Sequence, residues 1–309
     1  MPAELFQRSE RQSWPAISSW QAETASLVAT ALERWHLTAG EPYTGGEAGA
    51  VLRVTTAAGE SAVLKVGFPH VEAVGEALAL QAWSPALAPR VLRQEPWAWW
   101  LLLERIEPGI PLSMSALPTD EAIRVGALML AELSAVRVAP ELPSVRGIVD
   151  AYLVNAAQRR PARTAALAST ESEALVEQGL ALAAALAQGD SGRALVHGDL
   201  NPGNLLTAGD RAGGWVAIDP KPMRGDPEFD LEPLVTQLGS PSRTVLPEKQ
   251  LEAWVSLAAD HAGLDADLAV RWGVARTALD VTWYAADRNE HAMTAALGRL
   301  RSWMAVSGR

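Results

Sequence analysis

The sequence contains no cysteine, so it can form neither a disulfide nor a thiolate metal site. It also lacks a long apolar run, since the most apolar helical stretch, Leu180 to Ala187, is far shorter than a membrane span. Met1 to Glu10 carries charges and no apolar segment, which argues against a secretory signal. We therefore expect a cytoplasmic protein whose 309 residues can bury a sizeable core.

The sequence has fewer basic than acidic residues, with 26 lysines and arginines against 36 aspartates and glutamates, so the net charge is −10. Nucleic acid requires a basic face, so this balance argues against that class of ligand. The acidity suits a small cationic substrate, although it also serves solubility alone. The five histidines do not cluster at ligand spacing, which argues against a metallohydrolase. We expect a monomer that binds neither nucleic acid nor membrane.

The first third of the chain alternates between strand and helix patterns. Apolar residues at helical spacing predict a helix over Ser18 to Trp35. Two strand patterns, Val51 to Thr55 and Ala62 to Val66, are separated by a turn at Gly59. The patterns that follow are a helix over Val71 to Trp83 and strands over Val91 to Gln94 and Ala98 to Leu103.

Helical patterns dominate after Pro108-Gly109, which we interpret as a joint between two lobes of one α+β fold. We predict a small β-rich N-lobe over residues 1–106 and a larger helical C-lobe over residues 107–309. The helices predicted in the C-lobe are Thr119 to Val136, Val145 to Gln158, Glu171 to Gln188 and three more after Pro227.

The segment with the most chemical information is His-Gly-Asp-Leu-Asn-Pro-Gly-Asn, residues 197–204. Asp199 precedes Asn204 by five residues, and a second carboxylate, Asp219, ends a predicted strand. This spacing is typical of kinases, in which the first Asp orients the attacking hydroxyl while the Asn and the second Asp hold Mg²⁺. We therefore predict Asp199 as the base and Asn204 and Asp219 as metal ligands. His197 is expected to shape the loop, and the alternative for all of them is a hairpin whose polar residues only cap turns.

Lys65 lies within an apolar strand and shares a face with Val63. An ammonium in such a place is costly unless it is paired. Nucleotide phosphates and Glu76, on the following helix, would satisfy it, and Glu72 is the competing partner one turn earlier. The alternative is a lysine that extends to solvent.

Two further segments are candidates for contact with a nucleotide. Three glycines occur over residues 45–49, where a phosphate-covering loop containing Gly46 would lie, although they also suit an ordinary turn. The strand pattern over residues 101–106 would offer backbone groups, at Glu104 and Ile106, to an adenine ring.

The loop at residues 197–204 resembles the catalytic loop of aminoglycoside phosphotransferases and related small-molecule kinases. Ile218-Asp219-Pro220-Lys221-Pro222, followed by residues 225–231, is similar to the streptomycin 6-phosphotransferase and hydroxyurea phosphotransferase branch. Leu32-Glu33-Arg34-Trp35 and Trp283 also fit that branch. The resemblance implies a bilobal protein-kinase-like fold, with ATP and Mg²⁺ as cofactors. It implies transfer of the γ-phosphoryl group to a hydroxyl on the streptidine ring of streptomycin.

The resemblance also implies roles for individual residues. Lys65 would contact the ATP phosphates, Glu76 would orient Lys65, and Asp230 would brace the catalytic loop. The alternatives are a small-molecule kinase for a sugar, amino sugar, amino alcohol or hydroxyurea, and a nucleotide-binding pseudoenzyme. The intact set of Lys65, Asp199, Asn204 and Asp219 argues against the pseudoenzyme.

Streptidine carries two guanidinium groups, which call for carboxylates and aromatic faces. Arg276, Asp280, Trp283 and Asp287 recur at three- and four-residue spacing and therefore share one helix face. The alternative is a solvated face with an Arg–Asp pair. The predicted substrate residues are Glu228, Glu232, Asp280, Trp283 and Asp287, with Tyr284 and Glu290 as further candidates.

Overall fold

The computed structural model describes residues 17–43, 49–70, 75–137, 141–167, 169–189, 192–238 and 243–308. The chain divides into two compact units. The first comprises Met1–Ile110, Ala139–Leu142 and Leu206–Pro222, and the second comprises Pro111–Val138, Pro143–Leu205 and Met223–Arg309. Within the described part of the chain, no helix is long and apolar enough to cross a membrane.

The elements are numbered in chain order. The strands are β1 (Thr38–Pro42), β2 (Gly49–Thr55), β3 (Ser61–Gly67), β4 (Val91–Glu95), β5 (Trp100–Glu104), β6 (Pro108–Pro111), β7 (Ala194–Val196), β8 (Leu205–Ala208), β9 (Trp215–Ala217) and β10 (Met223–Gly225). The α-helices are α1 (Ile17–Trp35), α2 (Glu76–Trp83), α3 (Thr119–Ala135), α4 (Val145–Ala166), α5 (Thr170–Gly189), α6 (Leu231–Thr236), α7 (Glu248–Ala262), α8 (Ala266–Ala286) and α9 (Glu290–Ser307).

The first unit is built on a five-stranded antiparallel sheet in the order β1-β2-β3-β5-β4. Side chains alternate along the central strand β3, so that Ala62, Leu64 and Val66 are buried. They form one apolar core with Trp35 of α1 and Leu102 of β5. The alternation leaves Lys65 on the opposite face of the strand.

The later segment of the first unit is tied to its earlier part by backbone bonds. Strands β6, β8 and β9 form a three-stranded sheet in the order β6-β8-β9. The amide of Gly209 donates to the carbonyl of Glu107 at 2.9 Å, and that of Ala217 donates to the carbonyl of Leu87 at 2.8 Å. These bonds fix the end of β9, from which Asp219 projects.

Helices make up most of the second unit, and α8 packs against α4, α5 and α9. A Cβ added to Gly179 on α5 would lie 2.5 Å from the Cβ of Ala278 on α8, so only glycine permits this close approach. Strands β7 and β10 pair antiparallel, with Leu195 opposite Arg224. The buried strand β7 leads directly into the loop at residues 197–204.

The structure confirms most of the predicted elements and corrects several boundaries. The strand predicted over residues 98–103 begins at Trp100, because Pro96 opens a 3₁₀ turn and Trp99 has a φ of 58°. Helix α4 continues to Ala166 through Pro161, well beyond the predicted end at Gln158. Four helices, not three, follow Pro227.

The helix predicted over residues 71–83 differs at its start. Helix α2 begins at Glu76, since Gly75 has a φ of 91° and cannot continue a right-handed helix. Residues 71–74 lie outside the described residues. The helix therefore places Glu76 in its first turn.

Candidate active site

The ammonium of Lys65 is held by two carboxylates of the first unit. Its Nζ lies 2.6 Å from Oε1 of Glu76, at the start of α2, and it also pairs with Asp219, after β9. The Lys65 side chain is 14% exposed and that of Asp219 is 52% exposed. Asp219 is thus accessible to a ligand while it pairs with Lys65.

Two opposing effects set the protonation of Lys65. Burial lowers its pKa, but the charges of Glu76 and Asp219 and their hydrogen bonds outweigh burial, so the pKa lies above its usual value. Burial raises the pKa of Glu76, and the ammonium of Lys65 opposes that rise. Lys65 therefore keeps its positive charge beside the two carboxylates. An ammonium held in this way is suitable for binding phosphate oxygens.

Asp219 has an unusual backbone conformation. Its φ of 55° lies in the left-handed region, which costs a non-glycine residue roughly 1–2 kcal/mol. Such outliers persist where the surrounding structure imposes them, commonly at functional sites. The predicted phosphate-loop residue Gly46 and the alternative lysine partner Glu72 both lie outside the described residues.

Glu104 closes strand β5, and Ile106 lies half-buried just beyond it. Both carboxylate oxygens of Glu104 accept bonds of 2.8 Å from Nη2 of Arg211, and Oε2 also accepts a bond of 3.0 Å from the amide of Arg90. The Glu104 amide donates to the Arg90 carbonyl at 2.9 Å. The side chain and the amide of Glu104 are therefore both used by contacts within the fold.

In the second unit, the loop after β7 is organised around the backbone of Asp199. The Asp199 carbonyl accepts bonds of 2.8 Å from the amide of Asn201 and 2.9 Å from Nδ2 of Asn204. The Asp199 amide donates to Nδ1 of the buried His197 at 3.3 Å. The loop is thus held through main-chain atoms of Asp199, and one of the groups that contact them is the His197 ring.

Asp230 and Arg276 clamp the start of this loop. The buried Asp230 carboxylate accepts bonds from the amides of His197 at 2.7 Å and Gly198 at 2.8 Å. Arg276 of α8 donates to the carbonyls of Gly198 at 3.2 Å and Phe229 at 2.9 Å, and its guanidinium lies 4.0 Å from the Phe229 ring centroid. The two side chains therefore fix the loop backbone through its donors and its acceptors.

Asp230 gives a pH-dependent prediction. Burial raises its pKa from 3.8 to about 7, against the opposing effects of Arg276 and the two amides. Because the folded-state pKa exceeds the unfolded one, Asp230 adds stability that is fully present below about pH 4 and is lost as pH rises through 7. We expect the free energy of unfolding of wild type, minus that of Asp230→Asn, to fall across this window. Urea titrations at several pH values measure it, and a difference that rises with pH would contradict the assignment.

Three of the predicted substrate carboxylates are engaged by arginines of the chain. Arg193 bonds both oxygens of the buried Glu228 at 2.8 Å. The buried Glu232 faces the Nε atoms of Arg243 and Arg276, each at 3.6 Å. Asp280 pairs with Arg243 and, at 3.1 Å, with Arg299. Arg276 is therefore not the partner of Asp280, and these contacts are largely removed from solvent.

The remaining two predicted substrate residues differ in environment. Trp283 is 48% exposed, and the guanidinium carbon of Arg159 lies 4.4 Å from its ring centroid. Asp287 is half-exposed and accepts a bond of 3.3 Å from Nη1 of Arg159. Trp283 and Asp287 thus share one guanidinium at the surface.

The oxygen atoms available for a metal suit a hard cation. The amide nitrogen of Asn204 is used by the loop, which leaves the amide oxygen for a ligand, and Asp219 supplies an exposed anionic oxygen. Among the described residues, no group of three or more His, Asp or Glu side chains could hold a metal ion. Each of these oxygens, taken by itself, is of the kind that Mg²⁺ prefers, a cation that keeps water and substrate phosphate oxygens as most of its ligands.

Comparison with solved structures identifies the fold. The choline kinase of Cryptosporidium parvum Iowa II superposes with a TM-score of 0.61 and 10% identity, covering 92% of this chain and 95% of that chain. At this identity the likeness shows the fold alone. The predicted kinase-like α+β fold is thereby confirmed.

Sequence comparison identifies the family. A family model described as aminoglycoside/hydroxyurea antibiotic resistance kinase matches residues 34–288. The chain belongs to this family, and it is a kinase. The match confirms the resemblance drawn from the motifs.

Two relatives illustrate the branch. The streptomycin 6-kinase of Streptomyces glaucescens is 32% identical over 269 residues, which cover 86% of this chain and 84% of the relative. The hydroxyurea phosphotransferase of Kitasatospora aureofaciens is 35% identical over 291 residues, covering 93% and 81%. The names of these two relatives state chemically different acceptors, streptomycin and hydroxyurea.

Proposed function

We propose that this chain transfers the γ-phosphoryl group of ATP to a hydroxyl on the streptidine ring of streptomycin, with Mg²⁺ as the metal. The contact between Lys65, Glu76 and Asp219 carries the proposal, because an ammonium paired with a half-exposed carboxylate suits a magnesium-bound phosphate. The streptomycin 6-kinase of Streptomyces glaucescens supports the choice of acceptor.

In this proposal, residues 1–106 form the nucleotide-binding lobe, and residues 107–309 carry the catalytic loop and the substrate site. Lys65, oriented by Glu76, binds phosphate oxygens of ATP, and the segment around Gly46 covers them. The backbone at Glu104 and Ile106 binds the adenine ring. Asn204 and Asp219 each give Mg²⁺ an oxygen ligand, and bound Mg²⁺ neutralises phosphate charge.

Asp199 is the proposed base for the acceptor. The hydroxyl oxygen forms a bond to the γ-phosphorus, the bond from that phosphorus to the bridging oxygen breaks, and ADP leaves. The hydroxyl proton passes to the Asp199 carboxylate. Because the Asp199 backbone is fixed by Asn204 and His197, its side chain can be held at one position throughout the reaction.

Hydroxyurea is the second candidate acceptor, because the hydroxyurea phosphotransferase of Kitasatospora aureofaciens is 35% identical to this chain. Hydroxyurea is a small neutral molecule, whereas streptomycin carries guanidinium groups. Binding of streptomycin can therefore use the carboxylates of α8, whereas binding of hydroxyurea does not require them.

A turnover assay tests the proposed function directly. We expect purified protein with ATP and Mg²⁺ to release ADP when streptomycin is added, and the antibiotic to gain one phosphoryl group by mass spectrometry. The matched panel contains hydroxyurea, other aminoglycosides, amino sugars and amino alcohols. Turnover on another acceptor with none on streptomycin would overturn the proposal, as would nucleotide binding without turnover on any of them.

A further inference from the structure

The C-terminal end of α8 holds a guanidinium group at the surface of the second unit. Arg159 of α4 lies over the Trp283 ring at 4.4 Å, and its Nη1 lies 3.3 Å from Oδ1 of Asp287. The Arg159 side chain is 28% exposed. An aromatic face and a carboxylate are the two groups that recognise a planar guanidinium most effectively.

The end of the helix adds to this attraction. Asp287 is the C-cap of α8, where the partial charge of the helix is negative. Residues 283–286, in the last turn of α8, contain no basic side chain; Arg288 follows the C-cap, and the guanidinium over the Trp283 ring comes from Arg159 of α4. The position therefore favours a cation whether that cation belongs to Arg159 or to a solute.

Arg159 is held weakly compared with the other paired arginines of this region. Its ion pair with Asp287 and its contact with Trp283 are both exposed, and such interactions contribute little to stability. Arg243, in contrast, is largely buried and pairs with the buried Glu232 and with Asp280, so its removal would break two ion pairs that are shielded from solvent. A guanidinium in solution can compete with Arg159 but not with Arg243.

The packing of α4 against α8 does not depend on Arg159. One turn further along α4, the buried Arg163 bonds Glu173 at 2.8 Å and Thr282 of α8 at 3.4 Å, and it also pairs with Glu177. Arg159 can therefore leave the Trp283 ring while α4 remains in place. The ring and the Asp287 carboxylate would then be available together.

We propose that Trp283 and Asp287 form a subsite for one guanidinium group of a guanidino-substituted alcohol, and that Arg159 occupies this subsite until the acceptor replaces it. The proposal rests on the proposed function and assigns the acceptor a cationic contact that hydroxyurea lacks. It also separates Trp283 and Asp287 from Glu228, Glu232 and Asp280, which the fold itself uses.

Calorimetric titration with streptidine tests the subsite without requiring turnover. We expect Arg159→Ala to bind streptidine about three- to tenfold more tightly than wild type, because the competing guanidinium is gone. Trp283→Leu and Asp287→Asn should each bind it about three- to tenfold more weakly. Arg160→Ala is the matched control, since Arg160 is exposed on the same helix and pairs with Glu173 and Glu177, and it should bind like wild type.

The results separate the subsite from the proposed function. Unchanged or weaker binding by Arg159→Ala, or no streptidine binding by any form, would overturn the subsite. Tighter binding by Arg159→Ala together with no phosphorylation of streptomycin would support the subsite and reject the proposed function. If streptomycin is phosphorylated but all variants bind streptidine with the affinity of wild type, the proposed function is supported and the subsite is rejected.

Discussion

Replacing Asp199, the proposed base, by Asn should lower turnover about a hundred- to ten-thousandfold, because a neutral amide cannot take the proton of the acceptor hydroxyl. The loop should remain folded, since its bonds to position 199 use the main-chain carbonyl and amide. Steady-state release of ADP in the presence of acceptor gives kcat, and calorimetry with ATP and Mg²⁺ gives nucleotide affinity. We expect kcat to fall and nucleotide affinity to change little.

Asp150→Asn is the matched control for that variant. Asp150 is an exposed carboxylate of the second unit, 3.7 Å from Arg146, and its loss should leave kcat near wild type. Wild-type turnover by Asp199→Asn would refute the role of Asp199 as base. A parallel loss of nucleotide affinity and unfolding free energy would instead show damage to the fold.

Asp219→Asn should lower kcat/KM about a hundredfold or more and raise the Mg²⁺ concentration needed for half-maximal activity. The substitution removes a proposed anionic ligand of Mg²⁺ and one partner of the Lys65 ammonium. Lys65 keeps Glu76 at 2.6 Å, so the variant should fold. Initial rates across a range of Mg²⁺ at fixed ATP distinguish weakened metal binding from a general loss of activity.

The control for this variant is Asp210→Asn. Asp210 is exposed in the same unit and pairs with Arg211, which keeps its bonds of 2.8 Å to Glu104 when Asp210 is neutralised. Its Mg²⁺ dependence should match wild type. If Asp219→Asn also matched wild type, Asp219 would not be a metal ligand.

The sequence predicts candidate site residues where those residues lie close together or on elements with clear patterns. Asp199 and Asn204 share one short loop, and a lysine in an apolar strand requires a partner. Alternation along β3 places Lys65 correctly because strand geometry has a fixed period of two. Glu76 is a candidate because it lies on the helix predicted after that strand, and the structure places its Oε1 2.6 Å from the Nζ of Lys65.

The partners of the arginines in the second unit could not be predicted from the sequence in the same way. From the sequence, Arg276 shares a helix face with candidate substrate residues, yet in the structure it bonds the carbonyls of Gly198 and Phe229. Arg243 and Arg299 reach Asp280 from outside its helix. Many arginines are chemically equivalent in a sequence, and only the fold decides which carboxylate each one meets.

The predicted substrate residues show the same limit. Charge and helical spacing select Glu228, Glu232, Asp280 and Asp287 equally well. They do not reveal that the first two are buried against arginines of the chain. The availability of a carboxylate depends on tertiary ion pairs, which have no local signal.

Helix α8 also bears on how such a kinase can change its acceptor during evolution. At positions 276 and 280, a substitution breaks largely buried ion pairs, at a cost of about 3–5 kcal/mol, and at position 276 it also removes a bond to the backbone of the loop at residues 197–204. At positions 283 and 287 the side chains are half-exposed, and most exposed substitutions change stability by less than about 0.5 kcal/mol. New acceptor preferences can therefore arise at one end of the helix while the other end stays constant.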